Sequence, residues 1–435
     1  MADREPTILI IGAGTFGTST AYHLAKTYND PSKVTIIDRA PSPPKPAASV
    51  DINRIIRPDY PSALYCNLAW EAIHSWFWGI ELQEFFKQVG GVMVYESEAK
   101  ADEVRQVFKR RGYDQTEAME LGELERSGRG KGVLEGTATE GMGDAYWNPD
   151  AGWVNAAKAT ASYMHEAQKY GVQRVVTEVE ELLYEEGRVA GVKLADGRKL
   201  TADKVILASG AWTSSLLSPL EDHLNSAEPD RIERQIRATG AVSAYYRATD
   251  SEISQLHKAP VIVYGDLGQV IPASAENLMT KYTNSKTMFI NTVTTASGHK
   301  ISVPAKGSQY DVPEALKRET EELITTKVMP QFAKGREADH WRICWDARTP
   351  TQDWLMCRHP DERLGGLYLA VGGSFQGYKF LPNAGKYMLN VLNGKSNGEE
   401  KDRAWAWKKD GDESGHPTRE LTSFDQEEEK PRARL

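Results

Sequence analysis

The hexapeptide Gly12-Ala13-Gly14-Thr15-Phe16-Gly17 limits what this chain can fold into more than any other segment. It follows Thr7-Ile8-Leu9-Ile10-Ile11, a continuous apolar run typical of a strand buried on both faces. After it, Thr18 to Tyr28 carries apolar residues at helical spacing (Ala21, Leu24, Ala25). A second apolar run, Val34-Thr35-Ile36-Ile37, ends in Asp38, 21 residues past Gly17. Strand, glycine turn, helix, strand and terminal acid together form a dinucleotide-binding unit. Gly12 allows the tight turn, Gly14 lets backbone approach a pyrophosphate, and Gly17 lets helix and strand pack closely. The helix N-terminus offers free N–H groups to the phosphates, and Asp38 can accept from a ribose hydroxyl.

Two more strands run into small-residue turns. Val205-Ile206-Leu207-Ala208-Ser209-Gly210 lies nearly 200 residues downstream, and Leu367-Tyr368-Leu369-Ala370-Val371-Gly372-Gly373 follows about 160 later. One sheet drawn from such distant stretches suits a large flavoprotein with FAD threaded through the fold better than a compact NAD domain. The fold class is therefore α/β (α+β): a discontinuous Rossmann-type FAD-binding domain plus a mixed-sheet substrate domain. Residues 1–90, 146–220 and 331–395 are assigned to the first, and 91–145 and 221–330 to the second. Ala63 to Gln88 reads as helical, Val172 to Leu183 as strand, and 235–305 as strand-rich. The polar stretch 396–435 reads as a tail lying over the surface or partly disordered. Gly128-Arg129-Gly130-Lys131-Gly132 lacks both the Ser or Thr and the preceding strand of a phosphate loop and reads as a flexible loop.

Composition excludes several functions. Lys plus Arg number 53 and Asp plus Glu 61, a net charge of −8, which argues against a nucleic-acid partner. No apolar stretch approaches the ~18 residues of a membrane span, and the polar N-terminus does not read as a signal peptide. Cys66, Cys344 and Cys357 cannot build a disulfide framework, which fits an intracellular protein. The nine histidines show no metal-ligand spacing, and no Gly-x-Ser-x-Gly elbow supports a hydrolase.

Five blocks in order extend the reading: 11–17, Ser49-Val50-Asp51-Ile52-Asn53-Arg54-Ile55-Ile56-Arg57, Asp150-Ala151-Gly152-Trp153-Val154, Arg342-Ile343-Cys344-Trp345, and Gly377-Tyr378-Lys379-Phe380-Leu381-Pro382. In these the chain resembles the sarcosine oxidase and amadoriase (fructosyl-amino-acid oxidase) group of FAD-dependent amine oxidases, from Ile8 to about Gly394. The resemblance implies FAD contacts at Gly12, Gly14, Thr15, Phe16, Gly17, Asp38, Arg39, Ser49, Asn53, Arg54, Val175, Cys344, Gly377 and Lys379. Cys344 matches the cysteine that binds the flavin through a thioether, whereas Cys66 and Cys357 have no matching context. Lys281 aligns with a lysine over the flavin whose charge can stabilise developing superoxide. Arg54 matches a basic position beside the flavin ring, and Arg57 with Lys379 the pair that clamps a substrate carboxylate. Arg54 leans toward the sarcosine pattern, since amadoriases carry Lys there. Lys281-Tyr282-Thr283-Asn284-Ser285 also lacks the acidic residue that amadoriases place after the lysine.

The implied reaction takes a hydride equivalent from the carbon beside a secondary amine of an amino acid, then uses oxygen to form hydrogen peroxide. Fructosyl-amino acids, saccharopine, pipecolate and sarcosine are all candidate substrates. A flavin dehydrogenase passing electrons to a carrier, or a non-catalytic flavoprotein, are the alternatives. A monomer with a small-molecule amine and O2 as partners is expected. The terminal Ala433-Arg434-Leu435 has the small-basic-Leu form read by the peroxisomal import receptor, so a peroxisomal location is expected, with cytoplasmic as the alternative.

Overall fold

The computed structural model describes residues 4–95, 97–120, 133, 137 and 145–408. The Gly128–Gly132 loop and the tripeptide Ala433-Arg434-Leu435 lie outside them.

Two sheets organise the molecule. The first has six strands in the order Leu355–Arg358, Leu367–Val371, Lys204–Leu207, Ile8–Ile11, Val34–Asp38 and Gln173–Val176. All neighbours are parallel except the first pair. Ile8–Ile11 sits between Val34–Asp38 and Lys204–Leu207, which explains why its residues are apolar without alternation: both faces are covered. Helix Thr15–Thr27 packs on one face beside helices Ala156–Lys169 and Ala384–Leu392. A Cβ on Gly17 would overlap the Gly12 carbonyl, and Gly12 itself sits at φ +103°. The turn is built only from glycine at these two positions.

The second sheet has eight strands: His340–Arg348, Arg237–Arg247, Met279–Ile290, Gly268–Ile271, Val261–Tyr264, Gly91–Val94, Ala145–Asn148 and Glu117–Met119. Its first three strands are long and antiparallel, with Cys344 opposite Ala241, Arg342 opposite Ser243, and Lys281 opposite Tyr245. Residues paired directly across strands, and those two apart on a strand, share a face. One face of this sheet therefore presents Arg342, Cys344, Ser243, Tyr245, Lys281 and Thr283 together.

Several expectations need correction. His340–Arg348 and Ala145–Asn148, which the boundaries at 331 and 146 give to the FAD-binding part, are strands of the eight-stranded sheet. Strand pairing, not nearness in sequence to the nucleotide strands, decides their place. The helix from Ala63 ends at Trp78, where Gly79 leaves helical geometry, and Phe86–Lys87 is a short strand. Val172 to Leu183 divides into Gln173–Val176 in the six-stranded sheet and Val179–Glu185 in a separate three-stranded one.

The largest correction concerns the C-terminal stretch. Residues 399–405 form a helix, and Trp405 is 1% exposed. Its ring stacks on Trp354 at 4.7 Å, and its indole N–H donates to the Tyr65 hydroxyl at 3.3 Å. Trp407 packs on His359 with ring centroids 4.5 Å apart. Charged neighbours give this segment a tail-like composition, but two buried indoles anchor it. Replacing Trp405 by Ala is expected to destabilise the fold by about 3–5 kcal/mol, as large-to-small changes at packed aromatics do. Urea unfolding measures this, and a loss under about 1 kcal/mol would mean that the segment is not part of the core.

Candidate active site

Between the sheets runs a cavity of about 500 Å³. One end is walled by Gly12, Gly14, Thr15 and Phe16 of the glycine turn and by Asp38 and Arg39 at the end of the second strand. The other end is walled by Arg54, Cys344, Trp345, Asp346, Gly377 and Tyr378. Its length joins a dinucleotide turn to the Cys344 strand, as one extended cofactor requires. Asp38 accepts the Ala13 N–H at 2.8 Å and the Ala40 N–H at 3.1 Å, so its carboxylate also shapes the turn. Burial pushes its pKa up against those two bonds. The Arg39 guanidinium lies 4.3 Å over the Trp212 ring on the same wall.

Two buried groups, Ser49 on the cavity wall and Asn53 behind it next to Arg54, lack hydrogen-bond partners for their side chains among the described residues. The Ser49 hydroxyl, 3.4 Å from where a Cβ on Gly14 would stand, has no hydrogen-bond partner among the described residues. The same holds for both polar atoms of the Asn53 amide, whose residue is fully buried. Unpaired buried polar atoms are costly in a finished protein, and those beside a glycine cradle fit a phosphate-bearing ligand. The residues present thus fit FAD: the glycine turn and Ser49 for the pyrophosphate, Asp38 for a ribose, and the Arg54–Cys344 end for the ring system.

Behind that end lies an ionic cluster around Asp51. Its Oδ2 is 3.1 Å from Lys281 Nζ and 3.1 Å from an Arg342 nitrogen, and Arg54 pairs with the same oxygen. The Tyr245 hydroxyl donates to the carboxylate at 3.0 and 3.2 Å, and the Ile52 N–H at 2.7 Å. Burial alone would raise the Asp51 pKa, but the three cations hold it far below the carboxylate range. Lys281 also donates to the Asn53 carbonyl at 2.9 Å, and burial brings its ammonium down to about 8. Arg54 donates to Cys344 Sγ at 3.4 Å. Arg342 and Arg54 donate to the Ala47 and Ala48 carbonyls, which tie the cavity wall to the larger sheet.

A second cluster gathers Arg57 and Lys379. Lys379 Nζ donates to the Tyr60 hydroxyl at 2.6 Å and to the Gln376 carbonyl at 3.2 Å, and it lies 4.9 Å over the Tyr60 ring. The Arg57 guanidinium lies over the same ring at 5.6 Å and donates to the Asp59 carbonyl. Burial, then the charge of Arg57, pushes the Lys379 pKa well down. Among the described residues, no carboxylate comes within ion-pair distance of either cation; the Asp59 carboxylate is held by Tyr146 and Asn148 instead.

The structure thus brings Arg54 and Cys344 to the cavity wall, with Lys281 one ion pair behind them. It gathers Arg57 and Lys379 around the Tyr60 ring, off that wall. Val175 is placed otherwise: paired with Ile37 in mid-strand, it packs on a hydrophobic core, and the chain meets the cavity only at residues 177–180. Gly17 lies under the turn, off the wall. Trp345 and Tyr378 line the cavity, but Trp354 belongs to the Trp405 stack. Cys66 is packed in the core, whereas Cys357 is only partly buried. The sequence reading missed Asp51 and Asp346 as site residues. Asp346 shares the face of Cys344 and accepts the Phe375 N–H at 2.6 Å. An acid between two apolar residues, three before Arg54, was the signal for Asp51.

Residues 7–390 match the FAD-dependent oxidoreductase (DAO) family model. The chain belongs to this family. This FAD-dependent oxidoreductase is 26% identical to the L-saccharopine oxidase of Schizosaccharomyces pombe over 93% of each chain. It is 24% identical to the monomeric sarcosine oxidase of a Bacillus species, over 88% of this chain and 92% of that one. Among solved structures it superposes on amadoriase I of Aspergillus fumigatus with a TM-score of 0.81, 27% identity and 98% coverage, that chain being covered to 97%. It is therefore an enzyme of the FAD-dependent amine and amino acid oxidase kind, with the mixed α/β fold of those structures.

Removing the Ser49 hydroxyl tests the fit of the cradle. In the FAD-free enzyme, Ser49→Ala is expected to leave stability unchanged or slightly raised, since it deletes an unsatisfied group. In a Cys344→Ser background, where binding can be titrated, it should weaken FAD binding by about 0.5–1.5 kcal/mol. Unchanged FAD affinity would remove Ser49 from the cofactor site.

Proposed function

We propose that this enzyme oxidises the secondary amine of an N-substituted amino acid, using FAD attached through Cys344 and oxygen as the final acceptor. The observation that carries the substrate class is the Arg57–Lys379 pair: a buried ammonium and a half-buried guanidinium over one tyrosine ring, with no carboxylate within ion-pair distance among the described residues. Holding two cations this close without a paired anion is costly, and a planar substrate carboxylate supplies one. Saccharopine and sarcosine, named in two relatives, share a carboxylate beside a secondary amine. The absence of an acid after Lys281 favours these over sugar-bearing amines.

Bound FAD supplies the hydride acceptor and the route of electrons to oxygen. The chain's own residues do the rest. Arg57 and Lys379 fix the carboxylate, and thereby the carbon that reacts. The positive excess of both clusters disfavours a protonated amine, so the substrate nitrogen is held neutral and its lone pair is free. Lys281 stands behind the cavity wall as the cation toward which superoxide charge develops. Cys344, beside Arg54, is placed to carry the covalent bond.

The deciding assay is peroxide release with sarcosine, pipecolate, saccharopine and fructosyl-amino acids in turn. Dye reduction without peroxide would make the enzyme a dehydrogenase. Arg57→Ala and Lys379→Ala should each weaken carboxylate-bearing substrates tenfold to a hundredfold, from about 1.5–3 kcal/mol of charge-assisted bonding. An equal loss for an amide-capped substrate would show that neither residue reads the carboxylate. After acid precipitation, flavin should stay with the wild-type polypeptide and leave Cys344→Ser. Flavin kept by the serine variant would refute the thioether.

A further inference from the structure

Asp51 touches neither Arg57 nor Lys379, yet three cations converge on its carboxylate beside the cavity. We propose that Asp51 is a positioning residue for the oxygen half of the reaction: its carboxylate fixes the Lys281 ammonium and counters the two guanidiniums that crowd it. This rests on the reading of Lys281 as the cation that meets oxygen.

The geometry supports it from three elements. The loop before the strand Arg54–Ile56 supplies Asp51 and the Asn53 carbonyl, each bonded to Lys281 Nζ. Strand Arg237–Arg247 supplies Tyr245, paired in register with Lys281 and bonded to both Asp51 oxygens. Strand His340–Arg348 supplies Arg342 to the carboxylate, with His340 and Cys344 on the same face. Lys281 is 2% exposed, so water does not screen these charges. Arg54 and Arg342 both act to strip its proton, as does burial, and Asp51 is the acid that opposes all three. Loss of the Asp51 charge would leave three crowded cations uncompensated, and Lys281, unlike the two arginines, can answer by giving up its proton.

The test uses full-length holoenzyme. The visible spectrum of the oxidised flavin is titrated with pH, and dithionite-reduced enzyme is mixed with air-saturated buffer in stopped flow, so no substrate need be known. Wild type should show a spectral transition near pH 8, where Lys281 loses its proton. In Asp51→Asn the transition should move down by about one pH unit or more. Reoxidation at pH 8 should slow at least about fivefold, because a one-unit drop takes the charged lysine from about half to about a tenth. Asp51→Glu, which keeps the charge on a longer arm, should fall between the two; it decides alone if Asp51→Asn does not fold. Lys281→Met should lack the transition and reoxidise slowly, and the double variant should be no slower than Lys281→Met. Wild-type transition and rate in the Asp51 variants, or additive slowing in the double variant, would overturn the role of Asp51. Fast reoxidation by Lys281→Met would instead overturn the reading of the lysine.

Discussion

Four charged side chains meet in one buried place, and only Asp51 among them is an anion. At 3.1 Å and an effective dielectric near 20, each ion pair is worth about 5 kcal/mol of attraction, against several kcal/mol of lost hydration per ion. The cluster is therefore close to balanced as a group and strongly unbalanced if any member is lost. Its position explains much of the architecture. Asp51 and Arg54 come from the segment that follows the nucleotide unit, while Arg342, Lys281 and Tyr245 come from adjacent strands of the larger sheet. The same arginines donate to the Ala47 and Ala48 carbonyls on the cavity wall. One carboxylate thus sets how the glycine-turn half and the Cys344 half face each other. It leaves two positive charges uncompensated, as suits a cavity that receives anionic ligands and negative charge formed in a reaction.

What could be read from sequence follows a physical line. The glycine turn was legible because backbone sterics dictate it: Gly12 at positive φ and Gly17 under a carbonyl leave no room for another residue. Asp38 was legible as the acid that ends the second strand, and there it lines the cavity. Arg54, Arg57, Lys281 and Lys379 came from the resemblance in short blocks, and their gathering into two clusters is set by strand register that no local pattern encodes. Asp51 stands in one of those blocks, but an acid acquires meaning only from partners almost 200 to 300 residues away. The described part of the C-terminal stretch, up to residue 408, was misread for a related reason. Composition averages over a segment, while burial is decided by single side chains, and Trp405 and Trp407 outweigh their charged neighbours.

The two cationic clusters are built differently, and the difference matches the tasks proposed for them. Around Asp51 the cations are fixed by a carboxylate, so their charge and geometry are complete before any ligand arrives. Around Tyr60 they rest on an aromatic face and a hydroxyl, which orient Lys379 and Arg57 without neutralising them. The first arrangement suits a constant field, and the second an anion still to come. Tyr60 in turn lies 5.9 Å from the Tyr65 ring, whose hydroxyl accepts from the Trp354 backbone and the Trp405 indole. The helix near the end of the described chain therefore bears, through two aromatic contacts, on Tyr60, which orients Lys379 and Arg57. Packing at residue 405 and orientation at residue 379 belong to one continuous core, so the helix at residues 399–405 helps hold the Arg57–Lys379 cluster in shape.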